Sequence, residues 1–169
     1  MTDRARKTIG AIGLTLGLIA LMLLCTLTAL HAVGTDDRLY HSEQTAAGVL
    51  PLSGLPGDGL RRVDAALAAY LAGDESALQA GGGTECALEV EVFGAKAPAF
   101  NAREMAHMRD CFRLFKLLRK VRGRLIPWAI LLTVGGAYLL RDRRRIRLCA
   151  WLSPVLLLVP LGAFAAWAA

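Results

Sequence analysis

The chain has 169 residues, of which 55% are hydrophobic, and its formal net charge at pH 7 is +6. The hydrophobic residues are gathered into long runs without charge, a distribution that argues against an ordinary soluble domain. Nucleophile-elbow, phosphate-loop and dinucleotide-binding motifs are absent from the sequence, and no spacing of cysteine and histidine suggests zinc. We therefore expect no cofactor, no metal and no nucleic-acid partner.

Three runs are predicted to cross a membrane as helices, because a span needs about 20 apolar residues. Residues 9–33 contain no Asp, Glu, Lys or Arg. This run is longer than the apolar region of a cleaved signal peptide, so we interpret it as an uncleaved anchor. Residues 125–140 are short for a span, but apolar residues before them can lengthen it if the preceding helix continues. Residues 148–169 form the third run.

Basic residues predict the orientation, because the cytoplasmic loops of membrane proteins are enriched in Lys and Arg. Residues 1–8 and the loop RDRRRIR at 141–147 are both basic, which places them in the cytoplasm. Residues 112–124, FRLFKLLRKVRGR, are basic and amphipathic, which is typical of a helix at a membrane interface. The predicted fold class is a mainly α membrane protein, with three transmembrane helices and a small α+β extracytoplasmic module between spans one and two.

These patterns predict a multi-pass protein of the plasma membrane with its N-terminus in the cytoplasm. In chain order, we expect a cytoplasmic N-terminus at 1–8, transmembrane helix 1 at 9–33, the extracytoplasmic module at 34–111, a basic interfacial helix at 112–124, transmembrane helix 2 at 125–140, a cytoplasmic Arg-rich loop at 141–147 and transmembrane helix 3 at 148–169.

The module begins with a segment, Gly34–Leu60, that is rich in glycine, proline and polar residues and is predicted to be a loop. Leu60–Leu71 has apolar residues at helical spacing, and Gly73 is suited to end that helix. Gly81–Gly83 is predicted to be a flexible joint.

A strand is predicted next, at Leu88–Phe93, where apolar and acidic residues alternate. Gly94–Pro98 is predicted to turn the chain so that the following residues pair back on the strand. Cys86 and Cys111 both lie in the module, where oxidation is permitted, and the sequence is equally compatible with a disulfide and with two thiols.

The segment Phe100–Arg124 carries a complete helix-start pattern. Asn101 is suited to be the N-cap, and Glu104 can reach back to its amide as a capping box. Phe100 and Met105 occupy the two positions of a hydrophobic staple. We therefore predict that a helix begins here.

A polar cluster is predicted one turn into that helix. Residues three and four apart share a helix face, so Arg103, Glu104 and Asp110 can each lie near His107. Histidine is a usable proton acceptor near neutral pH. Each neighbour also has a structural explanation, because Glu104 can serve as a cap alone and Asp110 can pair with Arg113 on the surface. A di-metal site would need a second Glu-x-x-His motif, and the sequence contains none.

The string F-N-x-R-E-x-x-H-M-x-D, at residues 100–110, resembles the signature of the lipoprotein intramolecular transacylase (Lit) family of Gram-positive integral membrane proteins. Other features follow the family's order, namely a first span, the D-x-x-Y segment Asp37–Tyr40, a helix ending Tyr70–Gly73, the strand and turn VEVFGAKAPAF, and a basic stretch before the second span.

The resemblance implies an acyltransferase that acts on diacylglyceryl lipoproteins within the membrane lipids. Such an enzyme moves an acyl chain from the glyceryl sn-2 oxygen to the α-amino group of the N-terminal cysteine. His107 matches the family's motif histidine, which implies that it handles protons there. Arg103 or a backbone amide would stabilise negative charge on the intermediate, and Glu104 or Asp110 would orient the imidazole.

Family members continue past the third span with another outer segment, which bears a second active-site histidine, and with a fourth span. This chain ends at Ala169, and neither His31 nor His41 matches that second position. The resemblance therefore covers the part of the family pattern that precedes the fourth span.

The alternative is a non-catalytic small membrane protein that binds lipid or a partner protein through its outer module. Small residues four apart, Gly13 and Gly17 in span one and Gly162 and Ala166 in span three, allow helices to pack closely, either within the chain or between copies.

Overall fold

The structure, a computed structural model, describes residues 2–79 and 85–168, and for residues 50, 51 and 160–168 it describes the backbone alone. The predicted joint at Gly81–Gly83 lies outside the described residues. The fold is mainly helical, with a small two-stranded sheet. Its elements are α1 (Asp3–Gly34), α2 (Asp37–Ala46), α3 (Val49–Ser53), α4 (Gly57–Ala72), a 3-10 turn (Glu75–Ala77), β1 (Glu89–Val92), β2 (Ala95–Pro98), α5 (Ala102–Leu140) and α6 (Arg143–Ala168).

Two helices, α1 and α5, are long and apolar enough to cross a membrane. Their most apolar windows have mean hydropathies of 2.3 and 1.4, and 22% and 17% of those windows are buried within the chain. A core helix of a soluble protein would be mostly buried, so the exposed apolar surface is consistent with a membrane protein. The third predicted span, at 148–169, includes residues whose side chains the structure does not describe. It therefore stays a prediction.

Glycines bring α1 and α5 together within one compact unit, Met1–Thr28 and Lys120–Ala169. A Cβ added at Gly17 would lie 2.5 Å from the amide nitrogen of Thr133, and one added at Gly136 would meet the backbone of Leu14. Small residues allow this approach. Close packing at Gly13 and Gly17 within the chain is therefore confirmed, whereas the side chains of the second small-residue pair, at 162 and 166, are not described.

Apolar side chains and one hydroxyl complete this unit. Leu14, Leu140 and Cys149 form a buried cluster. The buried hydroxyl of Ser153 on α6 donates to the carbonyl oxygen of Cys149 at 2.7 Å and lies 3.5 Å from that of Thr15 on α1. The polar group of α6 is thus satisfied by backbone oxygens, as an apolar surrounding requires.

The second compact unit, Ala29–Arg119, has its own core. Tyr70 of α4 and Phe112 of α5 pack with their ring centroids 4.9 Å apart, beside the fully buried Leu78 and Met105. Arg119 donates from Nη1 to the carbonyl oxygen of Leu71 at 2.6 Å, at the end of α4. This bond satisfies one of the carbonyls that a helix C-terminus leaves unpaired.

The prediction that Gly34–Leu60 is a loop is wrong, because α2 and α3 form there. Asp36 caps α2, and its side chain accepts from the amides of Arg38 and Leu39 at 3.0 and 3.3 Å. No residue of α2 is buried, so the segment lacks the apolar stripe by which helices are recognised in a sequence. Polar contacts with α4, described below, hold this helix instead.

The helix at Leu60–Leu71 and the strand at Leu88–Phe93 are confirmed as α4 and β1. Gly73 ends α4 with a φ of 126°, which favours glycine. The predicted turn at Gly94–Pro98 is wrong, because residues 95–98 form β2. This strand pairs with β1 from Val92↔Ala95 to Glu89↔Pro98. The hairpin loop is the two residues Phe93 and Gly94, both with positive φ (49° and 83°), as in the tight turns that match strand twist.

The start of α5 has the predicted geometry. Asn101 Oδ1 accepts from the amides of Arg103 and Glu104 at 3.0 Å each, and Glu104 Oε2 accepts from the amide of Asn101 at 2.8 Å. These three bonds confirm the capping box. Phe100 and Met105 both belong to the core cluster, as the staple requires.

Helix α5 is continuous from Ala102 to Leu140 and passes through Pro127. The predicted interfacial helix at 112–124 is therefore the middle of this helix rather than a separate element. Cys86 and Cys111 are free thiols. Of the two alternatives that the sequence left open, the structure therefore has two thiols and not a disulfide.

We expect Gly136→Ala to lower the free energy of unfolding by about 1–3 kcal/mol, because overpacking a tight contact costs about that much. The measurement is thermal unfolding in detergent micelles, followed by circular dichroism. Gly135→Ala is the matched control, since a Cβ there meets no atom of the described part of the chain within 4 Å. Equal stability of the two variants would show that the helix contact is not as close as described.

Candidate functional site

An open cavity of about 810 Å³ lies beside the first turns of α5. Its wall is largely apolar and comes from α2, α3, α4, the segment before α5 and α5 itself. The apolar lining residues are Val49, Leu55, Leu60, Val63, Leu67, Ala99, Phe100 and Met108. We call this space the apolar cavity. The capping box fixes the helix start that borders it, so the local sequence pattern also positions the site.

Three of the four predicted site residues line the apolar cavity, namely Arg103, Glu104 and His107. All three are exposed. Asp110 is not among the lining residues, and its carboxylate lies 3.3 Å from the guanidinium of Arg113 on the helix surface. The predicted cluster therefore combines three residues that line one cavity with one residue, Asp110, that contacts Arg113 instead.

The predicted contacts of the imidazole are not those in the structure. Within the described residues, no hydrogen bond joins His107 to Glu104 or Asp110, and Nε2 of His107 lies 3.6 Å from Sγ of Cys111. Glu104 is engaged by the amide of Asn101. The structural explanation of both carboxylates thus matches their observed partners, and their catalytic roles stay predictions.

A second histidine, which sequence reasoning did not select, is paired with a buried carboxylate. Nδ1 of His41 on α2 lies 3.2 Å from Oδ2 of Asp64 on α4, and Gln44 Nε2 donates to Oδ1 of Asp64 at 3.0 Å. The side chain of Asp64 is 1% exposed and that of His41 is 28% exposed. Gln44 also lines the apolar cavity.

Burial dominates the protonation behaviour of this carboxylate. Loss of hydration raises the pKa of Asp64 above its ordinary value, the hydrogen bonds from His41 and Gln44 partly offset this, and the charge of Asp37 adds to the rise. A buried carboxylate is costly unless it is hydrogen-bonded, so these two bonds link α2 to α4.

The position of Asp64 in the sequence indicates that its carboxylate needs a hydrogen-bonding partner. It lies four residues after Leu60 and four before Ala68, and all three positions are buried on one face of α4. A single carboxylate within an apolar stripe needs a polar partner from elsewhere in the chain. That partner lies 23 positions away in His41, beyond the reach of local spacing.

Within the parts of the chain that the structure describes, no group of three or more His, Cys, Asp or Glu side chains could hold a metal ion. Comparisons with protein-family models, with curated proteins and with solved structures give no match. Function must therefore be inferred from the geometry of the two histidine sites and from the sequence itself.

We expect His41→Ala to lower the free energy of unfolding at neutral pH by about 1.5–3 kcal/mol, the usual range for a hydrogen bond to a charged group. Chemical denaturation in detergent micelles measures the change. Glu43→Ala, at an exposed position on the same helix, is the control and should stay within about 0.5 kcal/mol of the parent.

The raised pKa of Asp64 also predicts a pH dependence. Since the folded chain holds this proton to a higher pH than the unfolded chain does, the linked stability is complete below the ordinary Asp pKa and falls as the pH rises through the raised value. We expect the parent to lose stability relative to Asp64→Asn from about pH 4 upward. A difference that grows in the opposite direction would contradict the assigned shift.

Proposed function

We propose that the protein is a membrane acyltransferase-like protein, which moves an acyl chain from the glyceryl sn-2 oxygen of a diacylglyceryl lipoprotein to the amine of its N-terminal cysteine. The observation that carries this proposal is the apolar cavity, with His107 and Arg103 on its lining. An apolar wall suits a fatty acyl chain, and ionisable groups beside it suit chemistry at the polar end of that chain.

The proposed reaction needs three functions from the protein. The cysteine ammonium must lose a proton before it attacks the ester, and His107 would accept it. The tetrahedral intermediate carries an oxyanion, which the guanidinium of Arg103 would stabilise. When the intermediate collapses, the bond to the sn-2 oxygen breaks, and that oxygen would take up the proton held by His107. The acyl donor and the amine belong to one lipid-anchored substrate, so holding both in place supplies much of the acceleration. No covalent nucleophile is required.

The location follows the same proposal. The exposed apolar surfaces of α1 and α5 support a membrane protein. With basic residues at 1–8 and 141–147 in the cytoplasm, residues 34–111 would be extracytoplasmic, where the lipid-modified N-terminus of a lipoprotein is found. Three spans would then make the chain a multi-pass protein.

We expect the chain, expressed with a diacylated lipoprotein, to convert its N-terminal amine into an amide. Acyl migration leaves the mass unchanged, so the product is assigned from fragment ions in tandem mass spectrometry and from loss of amine labelling. His107→Ala should slow conversion by about 10²-fold or more, as expected for loss of a general base. Lys96→Ala, at an exposed site on β2, is the control. An unmodified amine with the parent chain would refute the activity, and full activity of His107→Ala would refute the site.

The apolar cavity can be tested separately from the proton acceptor. Val63→Gln places an amide on the acyl-binding wall and should slow conversion by about tenfold, since a polar group buried without a partner is costly. Ala72→Gln makes the same addition at an exposed position of the same helix and should leave the rate unchanged. Equal rates would show that the acyl chain binds elsewhere.

The non-catalytic alternative has one observation in its favour. Exposed cations lie along the middle of α5, at Arg113, Lys116, Lys120 and Arg124. Such a surface attracts anionic lipid headgroups. A chain that copurifies with lipid or lipoprotein and leaves the amine free would fit this binding function.

A further inference from the structure

A second open cavity, of about 720 Å³, is lined by α2 and α4 and carries three arginines. Arg38 comes from α2, and Arg61 and Arg62 come from α4. His41 lines it as well. We call this space the arginine cavity. The proposed acyl transfer uses none of these residues.

The three guanidinium groups are not neutralised by neighbouring carboxylates. Within residues 2–79 and 85–168, the structure gives Arg38, Arg61 and Arg62 no ion-pair partner. Two carboxylates belong to the lining, Asp37 and Asp64. The carboxylate of Asp64 is buried and is engaged by His41 and Gln44, so Asp37 is the acidic group left to oppose three cations.

The imidazole of His41 is held in a defined orientation at this cavity. Its Nδ1 faces the buried carboxylate of Asp64 at 3.2 Å, so a proton on Nδ1 is donated to that carboxylate and the second ring nitrogen, Nε2, remains for a ligand. The contact with this buried carboxylate fixes the orientation of the ring.

We propose that the arginine cavity binds a phosphate group. Guanidinium groups form paired, charge-assisted hydrogen bonds with phosphate oxygens, and the two arginines of α4 are adjacent in sequence and line the same space. His41 would donate from Nε2 to a further oxygen when both of its ring nitrogens carry protons. The phosphate group comes either from a free anion or from the headgroup of an anionic lipid, which share this chemistry. The proposal stands independently of the acyl transfer.

The test is isothermal titration calorimetry of the purified full chain in neutral detergent. Inorganic phosphate is the first probe, and short-chain phosphatidylglycerol and phosphatidylcholine, below their micelle concentrations, are the second and third. We expect saturable binding of phosphate or of phosphatidylglycerol, and weaker binding of phosphatidylcholine, whose headgroup carries a compensating cation. Which of the first two binds more tightly identifies the source of the phosphate group.

Matched variants separate this site from the overall positive charge. Arg61→Gln/Arg62→Gln should weaken binding by about tenfold or more, through loss of charge-assisted hydrogen bonds. Lys96→Gln/Arg143→Gln removes the same charge at exposed positions away from the arginine cavity and should leave binding within about twofold of the parent. Absence of binding by both anionic probes, or an equal loss in the two double variants, would overturn the proposal.

The role of His41 is tested by two further variants in the same assay. Asp64→Asn keeps a hydrogen-bond acceptor for the imidazole and removes the buried carboxylate beside it, whereas His41→Gln removes the imidazole. We expect both to weaken phosphate binding severalfold, while circular dichroism verifies that each variant is folded. Unchanged affinity in folded His41→Gln would remove His41 from the site and confine the proposal to the arginines.

Discussion

The side chain of Asp64 is almost completely removed from solvent, and the two residues that hydrogen-bond to it both belong to α2. One of them, His41, lines the arginine cavity, and the other, Gln44, lines the apolar cavity. The walls of both spaces therefore depend on one buried carboxylate. Removal of either partner would leave the charge less compensated, and such losses cost more than the bonds contribute on balance.

Local patterns in the sequence were sufficient for α4 and the start of α5, which border the apolar cavity, but not for α3 on the same wall. The capping box and staple from Phe100 to Met105 fix the start of α5 through contacts between residues at most five apart. The apolar stripe of α4 and the alternating strand are equally local. These signals are readable because the interactions that produce them involve neighbours in the chain.

Non-local polar contacts account for what the sequence could not predict. Helix α2 has no apolar stripe, and its attachment joins residues 20 and 23 positions apart. The two-residue loop of the hairpin could not be predicted, because Phe93 adopts a positive φ. Residues other than glycine and asparagine seldom have this backbone conformation. The predicted neighbours of His107 were Glu104 and Asp110, which have other partners in the structure. The side chain that lies near its imidazole is that of Cys111, one helical turn away.

Helix α2 has no buried residue, although it contributes to the wall of both cavities. A segment attached largely by hydrogen bonds and charge, with no fully buried residue, has a low free energy of local opening. It can detach while the core around Tyr70 and Met105 stays intact. Amide hydrogens of α2 would then exchange with solvent long before those of α4. Because its attachment is polar, salt and pH would set how often it opens, and access to both cavities would follow the same equilibrium.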